Sequence, residues 1–316
     1  MRGRREERKR MRAPAKSVIA GQTMAVVALL VGIKLATGWA TRSVSVLSEA
    51  IESGIDLLAA AVTYFSVVAA ASQKERDHPY GHGKAEHLAA VTQALLIALA
   101  GAYVVAQALP RLRGSDVPVR LDLAVAVMAV SAGVSYVLAR RLQRVARERE
   151  SPALAADSQH LIVDAATSAA VVVGLLVVAV TGQGWIDGLV GLAVAGAIFR
   201  TGWRLISDAI GDLMDRGLPE AEIARLQEIL NADPRVVGYH RVRARRAGSQ
   251  RHIDLHLLLD PDLSLRAAHD LAEEIEDRIR AAFPGVVVMT HVEPATEEEL
   301  AVDAGEPGIW KGHRAR

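Results

Sequence analysis

The chain contains no cysteine and few aromatic residues, and its net charge of +1 is close to neutral. Without cysteine there is no disulfide framework, thiol nucleophile or thiolate metal ligand, so any metal ion must be held by His, Asp and Glu. The balanced charge argues against a nucleic-acid partner. Hydrophobic residues nevertheless make up 51% of the 316 residues, and charged residues 23%. Apolar and charged residues must therefore occupy separate parts of the chain.

The first two thirds of the chain contains six apolar stretches long enough to cross a lipid bilayer. A hydrocarbon core of about 30 Å needs about 20 residues of helix. The stretches are Ser17–Trp39, Val44–Ala71, Glu86–Leu109, Leu121–Leu142, Leu154–Thr181 and Trp185–Asp208. A soluble helical bundle would need a polar face on most of these helices, and they do not have one. We therefore predict an α-helical membrane domain of six transmembrane helices over residues 17–208, preceded by a basic cytoplasmic tail at residues 1–16.

The Lys and Arg residues near the span ends predict the orientation of this domain. Sixteen lie in the N-terminal tail and in the connections after the second and fourth spans, whereas four lie on the other side. Basic loops remain in the cytoplasm, so both termini are expected there. The first span follows a basic segment but precedes no small-residue cleavage site, so we expect it to be retained as a span rather than removed as a signal peptide.

The pattern changes after Asp208. A helical repeat, two alternating strands, a second helical repeat and a third strand follow. They are expected at Pro219–Leu230, Val236–Arg245, Arg251–Leu259, Ser264–Phe283 and Val286–His291. An αββαβ order of this size predicts a small α+β domain with its helices on one face of a sheet. We place this cytosolic domain at residues 209–295 and a disordered tail at residues 296–316.

Ionisable residues inside the apolar spans are the strongest functional signal. A charge near the bilayer centre is costly and usually faces a polar cavity. Glu52 and Asp56 are four residues apart in the second span, and His160 and Asp164 are four apart in the fifth. Each pair shares one helix face. If the two helices pack together, three carboxylates and one imidazole can surround a divalent transition metal ion.

Two further acidic residues, Glu49 and Asp157, lie closer to the ends of these spans. For them the sequence favours a role in helix packing. The connection Glu75–His87 contains three histidines and several carboxylates, which suits either a second metal site or a solvated polar loop. The residue pattern alone leaves both alternatives open for this loop.

Three motifs resemble the cation diffusion facilitator family. They are HPYGHGKAE (His78–Glu86) directly after the second span, HxxxD (His160–Asp164) in the fifth, and LMDRGLPE (Leu213–Glu220) before the α+β domain. The resemblance implies a six-span homodimeric exporter of divalent metal, commonly zinc, driven by proton antiport. It also implies that the C-terminal domain is a ferredoxin-like module that dimerises and binds metal.

The family motifs also imply particular site residues. The transport site would be Glu52, Asp56, His160 and Asp164; the loop site Glu75, His78 and His82; the cytosolic site His240, His256, His269, His291 and Glu293; and an interdomain charge pair Lys84 and Asp215. Glu52, Glu75 and Glu293 depart from the family pattern, which usually has Asp or His at the first of these positions and Asp at the other two. His87 and His252 match no family ligand and are expected to be structural.

These observations predict a proton-coupled antiporter that exports Zn²⁺, or alternatively Fe²⁺, Co²⁺, Cd²⁺ or Mn²⁺, from the cytoplasm. No phosphate-binding loop for ATP is present, and we expect neither enzymatic activity nor a cofactor beyond the metal. Its partners would be the metal ion, protons, the lipid bilayer and a second copy of the chain, and its location the bacterial inner membrane. The alternative is a membrane-anchored metal sensor that does not transport.

Overall fold

The computed structural model describes residues 16–41, 44–72, 74–112, 121–181, 185–296 and 312–313. These residues form two compact units that divide between Ile210 and Gly211. The N-terminal unit is helical, and the C-terminal unit combines helices with a small sheet.

The described part of the N-terminal unit runs through six long helices. They are α1 (Lys16–Thr41), α2 (Val44–Ala70), α3 (Ala85–Leu112), α4 (Leu121–Arg149), α5 (Pro152–Thr181) and α6 (Trp185–Leu213). Each predicted apolar stretch corresponds to one of these helices. α4 extends beyond its apolar part because arginines, which are good helix formers, continue it after Leu142.

Three described helical stretches are long and apolar enough to cross a membrane by themselves. They are Lys16–Ile33, Ala85–Pro110 and Gly188–Leu213, and α2 contributes a shorter apolar segment, Gly54–Ala70. The chain is therefore an integral membrane protein by the composition of these helices. α4 ends in a run of arginines, which shortens its apolar part.

Small side chains bring the helices of this unit together. Ala20, Ala89, Ala139 and Ala153, from α1, α3, α4 and α5, are buried in one cluster. Large apolar side chains face outward instead, and Leu29, Phe65, Leu99 and Trp203 are each at least 64% exposed. Small residues at helix contacts and large apolar residues on the outer surface are typical of helices packed in lipid, where packing rather than exclusion of water holds them together.

The C-terminal unit contains two helices and a sheet among its described residues. The elements in chain order are α7 (Glu220–Ala232), β1 (Gly238–Ala247), β2 (Gln250–Leu259), α8 (Leu265–Ala282), β3 (Val287–Pro294) and β4 (Gly312–His313). β1 and β2 are antiparallel, β2 and β3 are parallel, and the strand order is β3-β2-β1-β4. The predicted αββαβ order is present, with one additional short strand.

Alternation along β2 places its two sets of side chains on opposite faces of the sheet. Ile253, Leu255 and Leu257 pack with residues of α7 and α8 into one buried core. His256 lies between Leu255 and Leu257 in the strand, so it projects from the opposite face. The helices therefore cover one face of the sheet and leave the other face for the histidines.

The short strand β4 falls in the segment for which the sequence predicts disorder. Gly312 and His313 pair with Tyr239 and Gly238 of β1. Two residues are too few to show an alternating pattern, so the sequence does not predict this strand. The predicted disorder of the remaining C-terminal residues after Thr296 lies outside the described residues.

Candidate metal centres

Two groups of three metal-ligating side chains occur among the described residues. One consists of Asp56, His160 and Asp164, and the other of His240, His256 and Glu293. Within each group, one ligand atom from every residue lies within 4.8 Å of the others. The first group is in the helical unit and the second is in the sheet of the C-terminal unit.

The group of Asp56, His160 and Asp164, here called the helical cluster, forms where α2 packs against α5. Nε2 of His160 lies 3.4 Å from Oδ1 of Asp56 and 3.8 Å from Oδ2 of Asp164. The imidazole is buried, whereas the Asp56 and Asp164 side chains are 29% and 26% exposed. One imidazole nitrogen and two carboxylates therefore provide three ligands of types that divalent metal ions accept.

Glu52 is the fourth ligand predicted for this cluster. It lies one turn before Asp56 on α2, but its side chain and that of Glu49 are outside the described part of the structure. The structure thus brings together three of the four predicted transport-site residues, from two helices, as the two i,i+4 pairs lead us to expect.

Strand register assembles the cluster in the C-terminal unit. His240 of β1 and His291 of β3 both stand opposite His256 of β2, and Glu293 is two residues beyond His291 on the same face. Oε2 of Glu293 lies 2.6 Å from Nε2 of His240, and Oε1 lies 2.8 Å from Nδ1 of His256. One carboxylate on β3 therefore joins the imidazoles of β1 and β2.

Opposing effects act on the pKa of Glu293. Burial raises it, but the hydrogen bonds with His240 and His256, together with their charges, outweigh burial and lower the pKa below the ordinary value for Glu. A carboxylate that stays ionised is available as a metal ligand without first losing a proton.

The two other histidines predicted for the cytosolic site differ in position. Nε2 of His291 is 3.5 Å from Oε1 of Glu293, and its ring centroid is 4.8 Å from that of His256, so His291 borders the cluster. His269 lies on α8 with its side chain 66% exposed, and its Nε2 is 3.7 Å from Oε1 of Glu273. The protomer does not bring His269 to the other four residues, because α8 covers the opposite face of the sheet.

The loop between α2 and α3 brings together two of its three predicted ligands. The ring centroids of His78 and His82 are 4.3 Å apart, and Nδ1 of His82 is 2.9 Å from the hydroxyl oxygen of Ser72. Glu75 contributes a backbone carbonyl that accepts from the amide of His78, but its carboxylate does not join the two rings in a three-ligand group among the described residues.

The two members of the predicted interdomain charge pair belong to different units. Lys84 immediately precedes α3. Asp215 follows α6, has a positive φ of 59°, and accepts a hydrogen bond of 3.1 Å from Arg245. Asp215 thus has a partner within its own unit. The histidines expected to be structural, His87 and His252, are both buried.

The last residue of the HPYGHGKAE motif has a structural role that the sequence does not reveal. Glu86 is buried, and its Oε1 accepts from Nζ of Lys16 at 2.6 Å. Its second carboxylate oxygen accepts a hydrogen bond from the hydroxyl of Ser151. The carboxylate therefore ties together the beginnings of α1, α3 and α5.

A polar group beside the helical cluster was also not predicted as a unit. The side-chain amide of Gln93 on α3 contacts Thr63 of α2 and Asp157 of α5. All three side chains are buried. A glutamine and a threonine in apolar helices give no recognisable sequence signal, and Asp157 alone favours helix packing, so only the packing of three helices identifies this group.

Comparison with known proteins assigns both units. Residues 23–214 match the cation efflux transmembrane domain, and residues 218–295 match the cytoplasmic domain of cation efflux proteins. The Synechocystis transporter sll1263 is 35% identical over 271 residues, which are 83% of this chain and 85% of that protein. The cation-efflux pump FieF of Cronobacter sakazakii is 33% identical over 272 residues, which are 86% and 90% of the two chains.

A solved structure of the zinc form of CzrB is 36% identical to this chain, covers 26% of it and 96% of its own chain, and has a TM-score of 0.24. The two domain matches and these relatives agree with the family motifs at His78–Glu86, His160–Asp164 and Leu213–Glu220. The chain belongs to the cation efflux family of membrane metal transporters, the cation diffusion facilitators.

Proposed function

We propose that this protein exports divalent transition-metal cations from the cytoplasm in exchange for protons, with Zn²⁺ as the main substrate. The observation that carries the proposal is the cluster of Asp56, His160 and Asp164 between two helices of the membrane unit. Ionisable groups within apolar helices are costly, and transporters commonly place them along an ion pathway.

The ligand types determine which cations fit. Imidazole nitrogen with carboxylate oxygens suits Zn²⁺ in a tetrahedral site, and Glu52 would complete such a set from α2. The same ligands also accept Fe²⁺, Co²⁺, Cd²⁺ or Mn²⁺, because no thiolate is present to select a softer ion. The FieF relatives are named cation-efflux pumps, which supports efflux of a cation.

Proton coupling follows from competition for the same atoms. A metal ion binds Nε2 of His160 and the carboxylate oxygens only when these atoms carry no proton. Protons that enter from the outer side bind these atoms and displace the metal, and the return of the protonated, metal-free carrier moves the protons inward.

The proposed topology has six membrane-crossing helices, both termini in the cytoplasm and the protein in the bacterial inner membrane. We further propose a homodimer joined through the cytosolic domain, which has a ferredoxin-like fold. A mixed unit of about 80 residues buries a smaller fraction of its surface than a larger domain does, so association with a second copy would stabilise it. The match to the cytoplasmic domain of cation efflux proteins supports this arrangement.

The second cluster has a separate role in this proposal. His240, His256 and Glu293, bordered by His291, lie in the sheet rather than among the membrane helices. Metal bound there reports the cytoplasmic concentration and tightens the cytosolic domain, which favours the transporting state. Such coupling is typically worth about 1–3 kcal/mol, so it tunes the rate rather than acting as an absolute gate.

Zinc uptake into proteoliposomes tests the proposal. We expect Asp56→Asn and Asp164→Asn to abolish zinc flux driven by a pH gradient, because each removes a carboxylate from the cluster. Glu148→Gln, a carboxylate on α4 outside both clusters, is the matched control and should keep the wild-type rate. Flux in either Asn variant that equals the control would contradict this site.

The same vesicles separate transport from the alternative of a membrane-anchored sensor. A sensor would bind zinc through the group of His240, His256 and Glu293, here called the sheet cluster. Even the wild-type protein would then show no zinc flux. Acidification of the external solution as zinc enters, followed with a pH dye, would detect proton exchange. Zinc flux without proton movement would refute the coupling and leave the transport function.

A further inference from the structure

A buried polar layer lies beside the helical cluster and has no role in the function proposed above. It consists of Thr63 on α2, Gln93 on α3 and Asp157 on α5, each at most 2% exposed. Asp157 precedes His160 by three residues, about one helical turn nearer the start of α5. Thr63 is likewise nearer than Asp56 to the C-terminal end of α2. The predicted orientation places this layer on the cytoplasmic side of the cluster.

The layer contains more hydrogen-bond acceptors than donors. The side-chain nitrogen of Gln93 lies 2.9 Å from the carbonyl oxygen of Ala59, 3.0 Å from the hydroxyl oxygen of Thr63 and 3.4 Å from Oδ1 of Asp157. An amide nitrogen has two hydrogens, so it cannot serve three acceptors fully. The longest of the three contacts is the one to Asp157, which leaves its carboxylate weakly hydrogen-bonded.

Among the described residues, no donor forms a hydrogen bond to two buried oxygen atoms in the layer. Oδ2 of Asp157 and Oε1 of Gln93 accept no hydrogen bond from any residue that the structure describes. A buried acceptor without a donor is unfavourable, and a carboxylate in this position is especially so. Both atoms are ligands that divalent cations accept, and they come from adjacent helices.

We propose that Asp157 and Gln93 form a second cation site, which a divalent metal ion occupies between the cytoplasm and the cluster of Asp56, His160 and Asp164. This inference rests on the transport function proposed above. An ion at Asp157 is about one helical turn from the cluster, so transfer requires only a short step. The site has oxygen ligands and no imidazole, so it holds Zn²⁺ more weakly than the cluster does. Weak binding suits a position through which ions must pass.

The change Asp157→Asn separates a cation site from a helix-packing role. Asparagine has the same shape and keeps the oxygen that accepts from Gln93, but it loses the charge and replaces the unpaired Oδ2 by a donor. A packing role therefore survives the change, whereas cation binding does not. Ser158→Ala is the matched control, because Ser158 is equally buried and its hydroxyl donates to Ala155 within the same helix.

Equilibrium dialysis with radioactive zinc on the full-length protein in detergent measures the site directly. The background is Asp56→Asn with Asp164→Asn, which disables the cluster and removes competition for the ion. We expect the addition of Asp157→Asn to lower the number of zinc ions bound at high free zinc by one, and the addition of Ser158→Ala to leave it unchanged. Superimposable isotherms with and without Asp157→Asn would overturn the site, whatever the flux measurements show.

Zinc flux provides the second measurement. In otherwise wild-type vesicles, Asp157→Asn should raise the zinc concentration for half-maximal uptake about tenfold, the order seen when a carboxylate close to a metal site is lost. The maximal rate should remain near the wild-type value. An altered pH dependence with unchanged half-saturation would instead assign Asp157 to proton movement and overturn the metal site. Wild-type vesicles without zinc uptake would refute transport, and the dialysis comparison would still decide on the second site.

Discussion

Replacement of Glu293 by Gln is the sharpest test of the sheet cluster. This carboxylate lies 2.6 Å and 2.8 Å from the imidazole nitrogens of His240 and His256, and 3.5 Å from that of His291. Glutamine has the same length and retains one oxygen acceptor. The change therefore removes the negative charge and one acceptor while keeping the volume of the side chain.

The expected cost to the metal-free domain follows from these contacts. A hydrogen bond to a charged group contributes about 1.5–3 kcal/mol, and a neutral one about 1 kcal/mol. Glu293 makes two such bonds with a side chain that is 14% exposed, and Gln keeps one in neutral form. Allowing for non-additivity between the two, we expect a loss of about 2–3 kcal/mol in the free energy of unfolding of the C-terminal unit.

The pH dependence has a definite sign. The pKa of Glu293 is lowered in the folded state, so its stabilisation is complete above the ordinary pKa of Glu, about 4.3, and disappears as the pH falls through the lowered value. Wild type and Glu293→Gln should therefore differ at neutral pH and converge in acid. A stability difference that persists at the lowest pH would show that packing, rather than charge, explains the effect.

Hydrogen exchange with mass spectrometry on the full-length protein measures the stability of individual segments, and so of the sheet. Peptides from β2, Gln250–Leu259, report the stability of the sheet without interference from the helical unit. Zinc at 100 times its dissociation constant should add about 2.7 kcal/mol of protection to wild type. The Gln variant should lose that protection at the same zinc concentration. Equal protection of β2 by zinc in both proteins would refute the assignment of Glu293 as a ligand.

Three further changes test the C-terminal unit, each by the same exchange measurement. Asp233→Asn should lower the free energy of unfolding by about 1–2 kcal/mol at neutral pH and by nothing in acid, because the hydrogen bond from Arg235 and the nearby Arg278 lower the pKa of Asp233. The cost is modest because both guanidinium groups are partly solvated. Ser264→Ala should cost about 1 kcal/mol, because its hydroxyl caps α8. His269→Ala should leave zinc protection of the sheet unchanged, and a clear loss would place His269 at the cluster.

The sequence predicts most of the elements because their patterns are local. The apolar stretches correspond to α1–α6, and Asp56 of α2 lies close to His160 and Asp164, which the i,i+4 spacing puts on one face of α5. The strands of the C-terminal unit follow from alternation, and α8 from its apolar repeat with Ser264 at its start. In each case the residues that determine the element are neighbours in the chain.

Contacts between distant segments are less predictable. The pairing of Leu258 with Glu293 puts that carboxylate near His240, but a shift of β3 by one residue would point it to the other face. Gln93 shows the same limit in the helical unit, since its contacts with Thr63 and Asp157 depend on how three helices pack. In both cases the sequence shows that a polar or charged side chain is present, and only the tertiary structure shows which side chains it contacts.

The two candidate metal-binding clusters differ in how their ligands can separate. Asp56 lies on α2 and His160 and Asp164 lie on α5, so a shift of one helix against the other changes the distances between ligands and can release an ion. His240, His256 and Glu293 lie on β1, β2 and β3, which a ladder of backbone hydrogen bonds holds in register, with one irregularity in β1 between His240 and Arg243. Separating these ligands would require breaking that ladder. This difference fits the roles proposed above, in which the helical cluster binds and releases metal during transport and the sheet cluster binds metal as a regulatory site.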